Sequence, residues 1–187
     1  MRYASILTAI AMSAMFPLAA CSDKPAKGTA ADVDAETSLT KTIGSNPQLS
    51  DFAKALDTAG LAGVFDGPGD YTVLAPDNSA FGKLGDAGKT LLQPDQKAAL
   101  AAVLREQILP GAIMPEDIEK SLANANGKPV SMVTLGSGEV VFTKQGEKIV
   151  VTSADGKKAN ISGTSQKAKN GVVMSVDSFL KAVDSGE

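Results

Sequence analysis

Tyr71-Thr-Val-Leu-Ala-Pro-Asp-Asn-Ser-Ala-Phe81 reads as a strand that stops and turns into a helix. Tyr71 to Ala75 is a short apolar run bounded by turn residues, the pattern of a buried strand. Pro76 has no N–H to give to a sheet ladder, so the strand ends there. Asp77 then stands where a helix N-cap belongs, with Ala80, Phe81 and Leu84 as the apolar side of the short helix that follows.

Upstream, Asn46-Pro47 opens the first helix, Asn as cap and Pro at the first helical position, where its missing N–H costs nothing. Leu49, Phe52, Ala53 and Leu56 form its apolar stripe and Gly60 stops it. Phe65-Asp-Gly-Pro-Gly-Asp70 is a turn into the strand. Downstream, Pro94 begins a longer helix expected to align Ala98, Ala101, Leu104 and Ile108 on one face before Pro110-Gly111 ends it. A shorter helix starts at Pro115 and carries Ile118 and Leu122. From Pro129 the period changes to two, with strands expected at 130–135, 139–143, 148–152, 159–162 and 172–176, then a last turn or helix around Phe179 and Leu180. Helices first and an antiparallel meander afterwards is an α+β order.

Three stretches of this layout resemble the FAS1 (fasciclin) family. The quoted segment 71–81 is similar to the family's first motif. Asn170-Gly-Val-Val-Met-Ser-Val-Asp177 is similar to its second, and Ile108-Leu-Pro-Gly111 to its Val-Pro-Gly element. The resemblance implies a single wedge of small β-sheets with helices packed along one side. It also implies structural work for the motif residues Asp77, Phe81, Gln107, Pro110, Gly111, Asn170, Gly171, Met174 and Asp177: capping, anchoring and a turn at Asn170-Gly171 that needs positive φ. The chain departs from the family where a Tyr-His pair often precedes Val-Pro-Gly, having Glu106-Gln107, and where the second motif usually carries His, having Met174. A role tied to that Tyr-His pair does not transfer.

Composition narrows the function classes. The 187 residues contain no His, which removes Ser-His and Cys-His catalysis and the usual zinc ligands. A formal net charge of −3 leaves no basic footprint for nucleic acid. With two Tyr, six Phe and no Trp, and those in the body of the chain set within apolar patterns, little is left for a stacking platform for sugars. Gly88-Lys89-Thr90 lacks the earlier Gly and the preceding strand of a phosphate loop. Ser178-Phe-Leu-Lys181 and Ser38-Leu-Thr-Lys41 both fit Ser-x-x-Lys without its companion elements. The expectation is therefore a non-enzyme without a cofactor or metal.

The beginning of the chain is an address. Arg2, the apolar run Ile6 to Leu18 and Leu18-Ala-Ala-Cys21 form a signal segment, residues 1–20, too short to span a bilayer and ending on a lipobox. Cys21 is the single Cys of the chain and sits at the lipidation position. Residues 21–41 are mostly small, polar or charged and read as the lipidated Cys with a flexible tether, 42–183 as the FAS1-like domain and 184–187 as a tail. Asp32, Asp34 and Glu36 alternate as in a calcium loop but lack its Gly and distal Glu. Ser22 in place of Asp is the pattern of a lipoprotein sent on to the outer membrane.

The expected function is a membrane-anchored, extracytoplasmic binding or adhesion module with a protein or envelope partner. Some FAS1 proteins hold carotenoids in an apolar groove. That resemblance implies, as the alternative, a carrier of a small apolar ligand, with Ile113, Met114, Leu122, Met132 and Met174 as lining. Burial of the same five side chains in the core is the competing expectation.

Overall fold

The strand at Tyr71 forms as expected and becomes the centre of the molecule. The computed structural model describes residues 37–183. The signal segment, Cys21, the tether before residue 37 and the tail lie outside the described residues. In chain order the elements are α1 (Leu39–Ser45), α2 (Ser50–Ala59), β1 (Tyr71–Pro76), α3 (Asn78–Lys83), α4 (Gly85–Leu91), α5 (Lys97–Arg105), β2 (Ile108–Pro110), α6 (Pro115–Asn124), β3 (Val130–Val133), β4 (Glu139–Gln145), β5 (Lys148–Ser153), β6 (Lys158–Asn160), β7 (Gln166–Ala168) and β8 (Gly171–Val176).

Two four-stranded sheets result, ordered β2-β1-β8-β7 and β3-β4-β5-β6. The second is the expected antiparallel meander. The first is mixed, because β8 leaves the meander and lies parallel to β1, Tyr71 opposite Gly171 and Pro76 opposite Val176. Side chains alternate across this sheet. Val73, Ala75, Ile108 and Val173 face α1, α2, α3 and α5 in one core, with Phe52, Leu56, Leu100 and Leu104. Leu74, Leu109, Val172, Met174 and Val176 face the other way and meet Val140, Phe142, Val151 and, from α6, Ile118 and Leu122 in a second core. The mixed sheet is therefore a partition between two apolar interiors, an α+β wedge of small sheets.

Several boundaries differ from the sequence reading. α1 begins inside the stretch read as tether: Ser38 caps it by accepting from the Lys41 N–H, and Leu39 and Ile43 are fully buried. Seven residues with one Gly and two Thr carry too short a stripe to stand out as a helix. α5 ends at Arg105, so Ile108 is not on its face. Pro110 disfavours helical geometry in the residue before it, and Ile108–Pro110 pairs antiparallel with β1 as an edge strand. The buried side of α5 is Leu100, Val103 and Leu104, while Ala98 is exposed. Around Phe179 and Leu180 the chain forms no helix, yet both side chains are buried.

Candidate functional site

The motif residues come together around the two ends of β1 and β8. At one end Asp77 Oδ1 accepts from the Ala80 N–H at 2.8 Å and from the Ser79 hydroxyl at 2.6 Å, capping α3. Asn78 beside it donates to the Pro47 carbonyl at 3.0 Å and accepts from the Asp51 N–H at 3.1 Å, fixing α3 to α2. Phe81 stands edge-on to Phe179 with ring centroids 4.9 Å apart, so the helix anchor is set against the end of the domain.

Asp177 closes the same end. Its carboxylate accepts from the Asn160 N–H at 2.8 Å and the Asn160 amide at 2.7 Å, and Lys83 Nζ donates to its backbone carbonyl at 2.8 Å. Burial pushes this carboxyl upward, but the two Asn160 bonds and the nearby Lys83 charge outweigh it and hold the group below its ordinary value. Asp177 thereby ties β8 of one sheet to β6 of the other. Asp155 is also held below its ordinary value, chiefly by the hydrogen bond from Lys181, whose Nζ lies 2.9 Å away.

At the opposite end Asn170 accepts from the Leu39 N–H at 2.9 Å and donates to the Phe65 carbonyl at 2.5 Å. Gly171 has φ 147°, and a Cβ there would lie 1.8 Å from the Tyr71 carbonyl oxygen, so only glycine lets β8 approach β1. Gly111, φ 91°, gives its N–H to the Asp70 carbonyl at 2.8 Å. Pro110 lies exposed on the β2 edge.

Gln107 is completely buried. In the amide orientation that satisfies both its ends, it donates to the Leu74 carbonyl at 3.1 Å and accepts from the Leu180 N–H at 2.9 Å. It is a core bracket between β1 and the segment that follows β8. Glu106, its neighbour, accepts from the Thr134 hydroxyl, and its carboxyl lies where Cβ atoms on Gly136 and Gly138 would otherwise be. Met174, at the other departure from the family, is completely buried in the second core. Thr72 was not singled out by sequence reasoning, yet its buried hydroxyl donates to the Gly111 carbonyl at 2.7 Å and accepts from the Ile113 N–H at 2.8 Å. A Thr within a buried strand is the only signal that could have found it.

Of the five residues considered as apolar lining, Leu122 and Met174 are core, and Ile113, Met114 and Met132 pack partly exposed against the same cluster. A hollow of about 390 Å³ lies between α4, α5 and residues 181–183 and includes none of the five. Gly88-Lys89-Thr90 lies within α4, with Lys89 paired to Asp86 at 2.8 Å, and forms no phosphate loop. Ser38 is a helix cap and Lys181 is paired with Asp155. Among the described residues no three acidic side chains converge as a metal site. The polar atoms of Asp77, Gln107, Asn170 and Asp177 are thus spent on contacts within the domain.

The Fasciclin domain family model matches residues 47–182. Human periostin is 27% identical over 151 residues, a match spanning 80% of this chain and 16% of that protein. Protein sll1483 of Synechocystis is 27% identical over 164 residues, 84% of this chain and 81% of the relative. Among solved structures, the FAS1 domain pair of the insect cell adhesion molecule Fasciclin I superposes with a TM-score of 0.68 at 18% identity, over 78% of this chain and 51% of that one.

Proposed function

This chain belongs to the fasciclin domain family, and we propose that it works as a membrane-anchored, extracytoplasmic adhesion module with a protein or envelope partner. Domains of this family are binding and adhesion modules, and the fold here is that of an insect cell adhesion molecule. The observation that carries the binding reading is the use of the motif residues. Asp77, Gln107, Asn170 and Asp177 all direct their polar atoms inward, onto backbone or side chains of the same domain. Partner recognition then belongs to the outer surface of the domain.

The anchor reading rests on the signal segment and Cys21. Labelled palmitate is expected to enter the wild-type protein and not Cys21→Ala. Strains carrying the anchored and the Cys21→Ala forms are expected to differ in attachment and biofilm; equal attachment at equal protein level would remove the adhesive reading.

A second reading, carriage of a small apolar molecule, is favoured by the hollow beside α4 and α5, where Leu91, Ala99, Ala102 and Val103 line an apolar wall. Protein purified gently from its native membrane would then bring a coloured or stoichiometric passenger, seen by absorbance and mass spectrometry. A colourless, empty protein leaves the adhesive reading alone.

A further inference from the structure

From Gly156 to Val176 the sequence contains four lysines, 157, 158, 167 and 169, and no acidic residue, in a chain whose net charge is −3. The fold gathers this stretch along one flank. β6 is the outer strand of the meander and β7 the outer strand of the mixed sheet. Between them Ile161 bridges to Val176 and the Ser162 N–H bonds to the Ser175 carbonyl at 2.8 Å, so residues 158–168 form one border running past both sheets. Lys157, Lys158, Lys167 and Lys169 are all exposed. Lys54, Lys89, Lys120, Lys144 and Lys181 are each paired with a carboxylate; these four, like Lys41, Lys97, Lys128 and Lys148, have neither an ion pair nor a side-chain hydrogen bond among the described residues, and what sets them apart is that they share one border. Asp155, the carboxylate that feels Lys157, is engaged by Lys181 and Asp177 is engaged by Asn160, while Asp66 and Asp70 line a hollow together with Lys169 at one end of the border.

The point where the chain enters the domain lies on the same border. The Lys169 N–H donates to the Thr37 carbonyl at 2.8 Å, and the Leu39 N–H donates to Asn170. Thr37, the first of the described residues, therefore lies beside Lys169. We propose that this lysine border seats the domain on an anionic lipid surface, its ammonium groups against headgroup phosphates. The anchored reading above enters only in saying where that surface is.

The magnitudes fit a tethered contact. A surface lysine raises affinity for an anionic bilayer about fivefold, so four give an association constant on the order of 10³ M⁻¹. Free in solution that is feeble. Held at the membrane by the anchor proposed above, the domain would meet lipid at an effective concentration of about the millimolar range, enough to keep the border engaged much of the time. Lysines also deter edge-to-edge pairing of strands, so the test must separate charge as such from positive charge.

Full mature chain carrying Cys21→Ser, hence unacylated, would be mixed with vesicles of equal parts phosphatidylcholine and phosphatidylglycerol at millimolar lipid and floated on a density gradient. Binding is expected to the mixed vesicles, not to pure phosphatidylcholine, and to weaken steeply with salt. Reversing all four border lysines to Glu keeps the edges charged and should lower affinity at least about a hundredfold. Reversing Lys54, Lys89, Lys120 and Lys128 changes net charge equally and should leave binding within a few-fold, and melting curves would check that both variants fold. Equal losses in the two variants, no flotation of the parent, or border-dependent capture by a soluble anionic polysaccharide without flotation would each overturn the proposal. Failure of palmitate labelling would remove the anchor and leave this result standing.

Discussion

In the mixed sheet, all six residues of β8 and five of the six in β1 are buried, whereas in the meander β3 has no fully buried residue and Val133 is 62% exposed. The mixed sheet has an apolar interior on each face, so neither face tolerates change. The meander has one face packed on the second core, while its other face is only partly covered: Val150 is buried there, Val141 and Thr143 are half-buried and Val133 is open to water. The difference teaches where this domain stores its stability and where it can vary its surface.

The comparison breaks hardest at Gly171. Ala there would place a methyl group on the Tyr71 carbonyl and part β8 from β1, and a loss above about 4 kcal/mol, or no folded protein, is expected in urea unfolding. Next come the neighbours Val173→Ala and Met174→Ala, which face opposite interiors. Each should cost at least about 2 kcal/mol, and a cost on one face alone would contradict a sheet packed on both sides.

Asp177→Asn removes one acceptor from the Asn160 tie and should cost about 1–2 kcal/mol. It also carries a pH signature. The carboxyl is held below its ordinary value in the folded protein, so its stabilisation is complete above about pH 4 and is lost as pH falls through the folded value. The variant should therefore show a shallower loss of stability below pH 4, with the share of Asp155 remaining. The smallest effect is expected at Val133→Thr on the partly covered face, within about 0.5 kcal/mol either way.

The same contrast decides what could be read from the sequence. Strands of the meander alternate and end at Gly turns, so β3, β4 and β5 are legible within a residue or two. β8 was visible as a strand, but nothing in Gly-Val-Val-Met-Ser-Val says that its partner is β1, because parallel pairing leaves no local turn. β2 and β7, three residues each, are too short for any period to show. Asp77 announces its own partner, three residues on along the chain. Gln107 and Asp177 do not, since Leu74, Leu180 and Asn160 come near them only in the folded molecule.

The pairing of Tyr71 with Gly171 also sets the order of events when the polypeptide is made. A chain emerging N-terminus first presents β1 and the helices long before its central neighbour exists. Until residue 176 has followed, one hydrogen-bonding side of β1 has no strand beside it and Leu74 has no Met174 opposite. Closing so long a loop is slow, and it comes last. Assembly of this domain then waits on its last strand, and a chain that stops before residue 171 leaves β1 without its central neighbour.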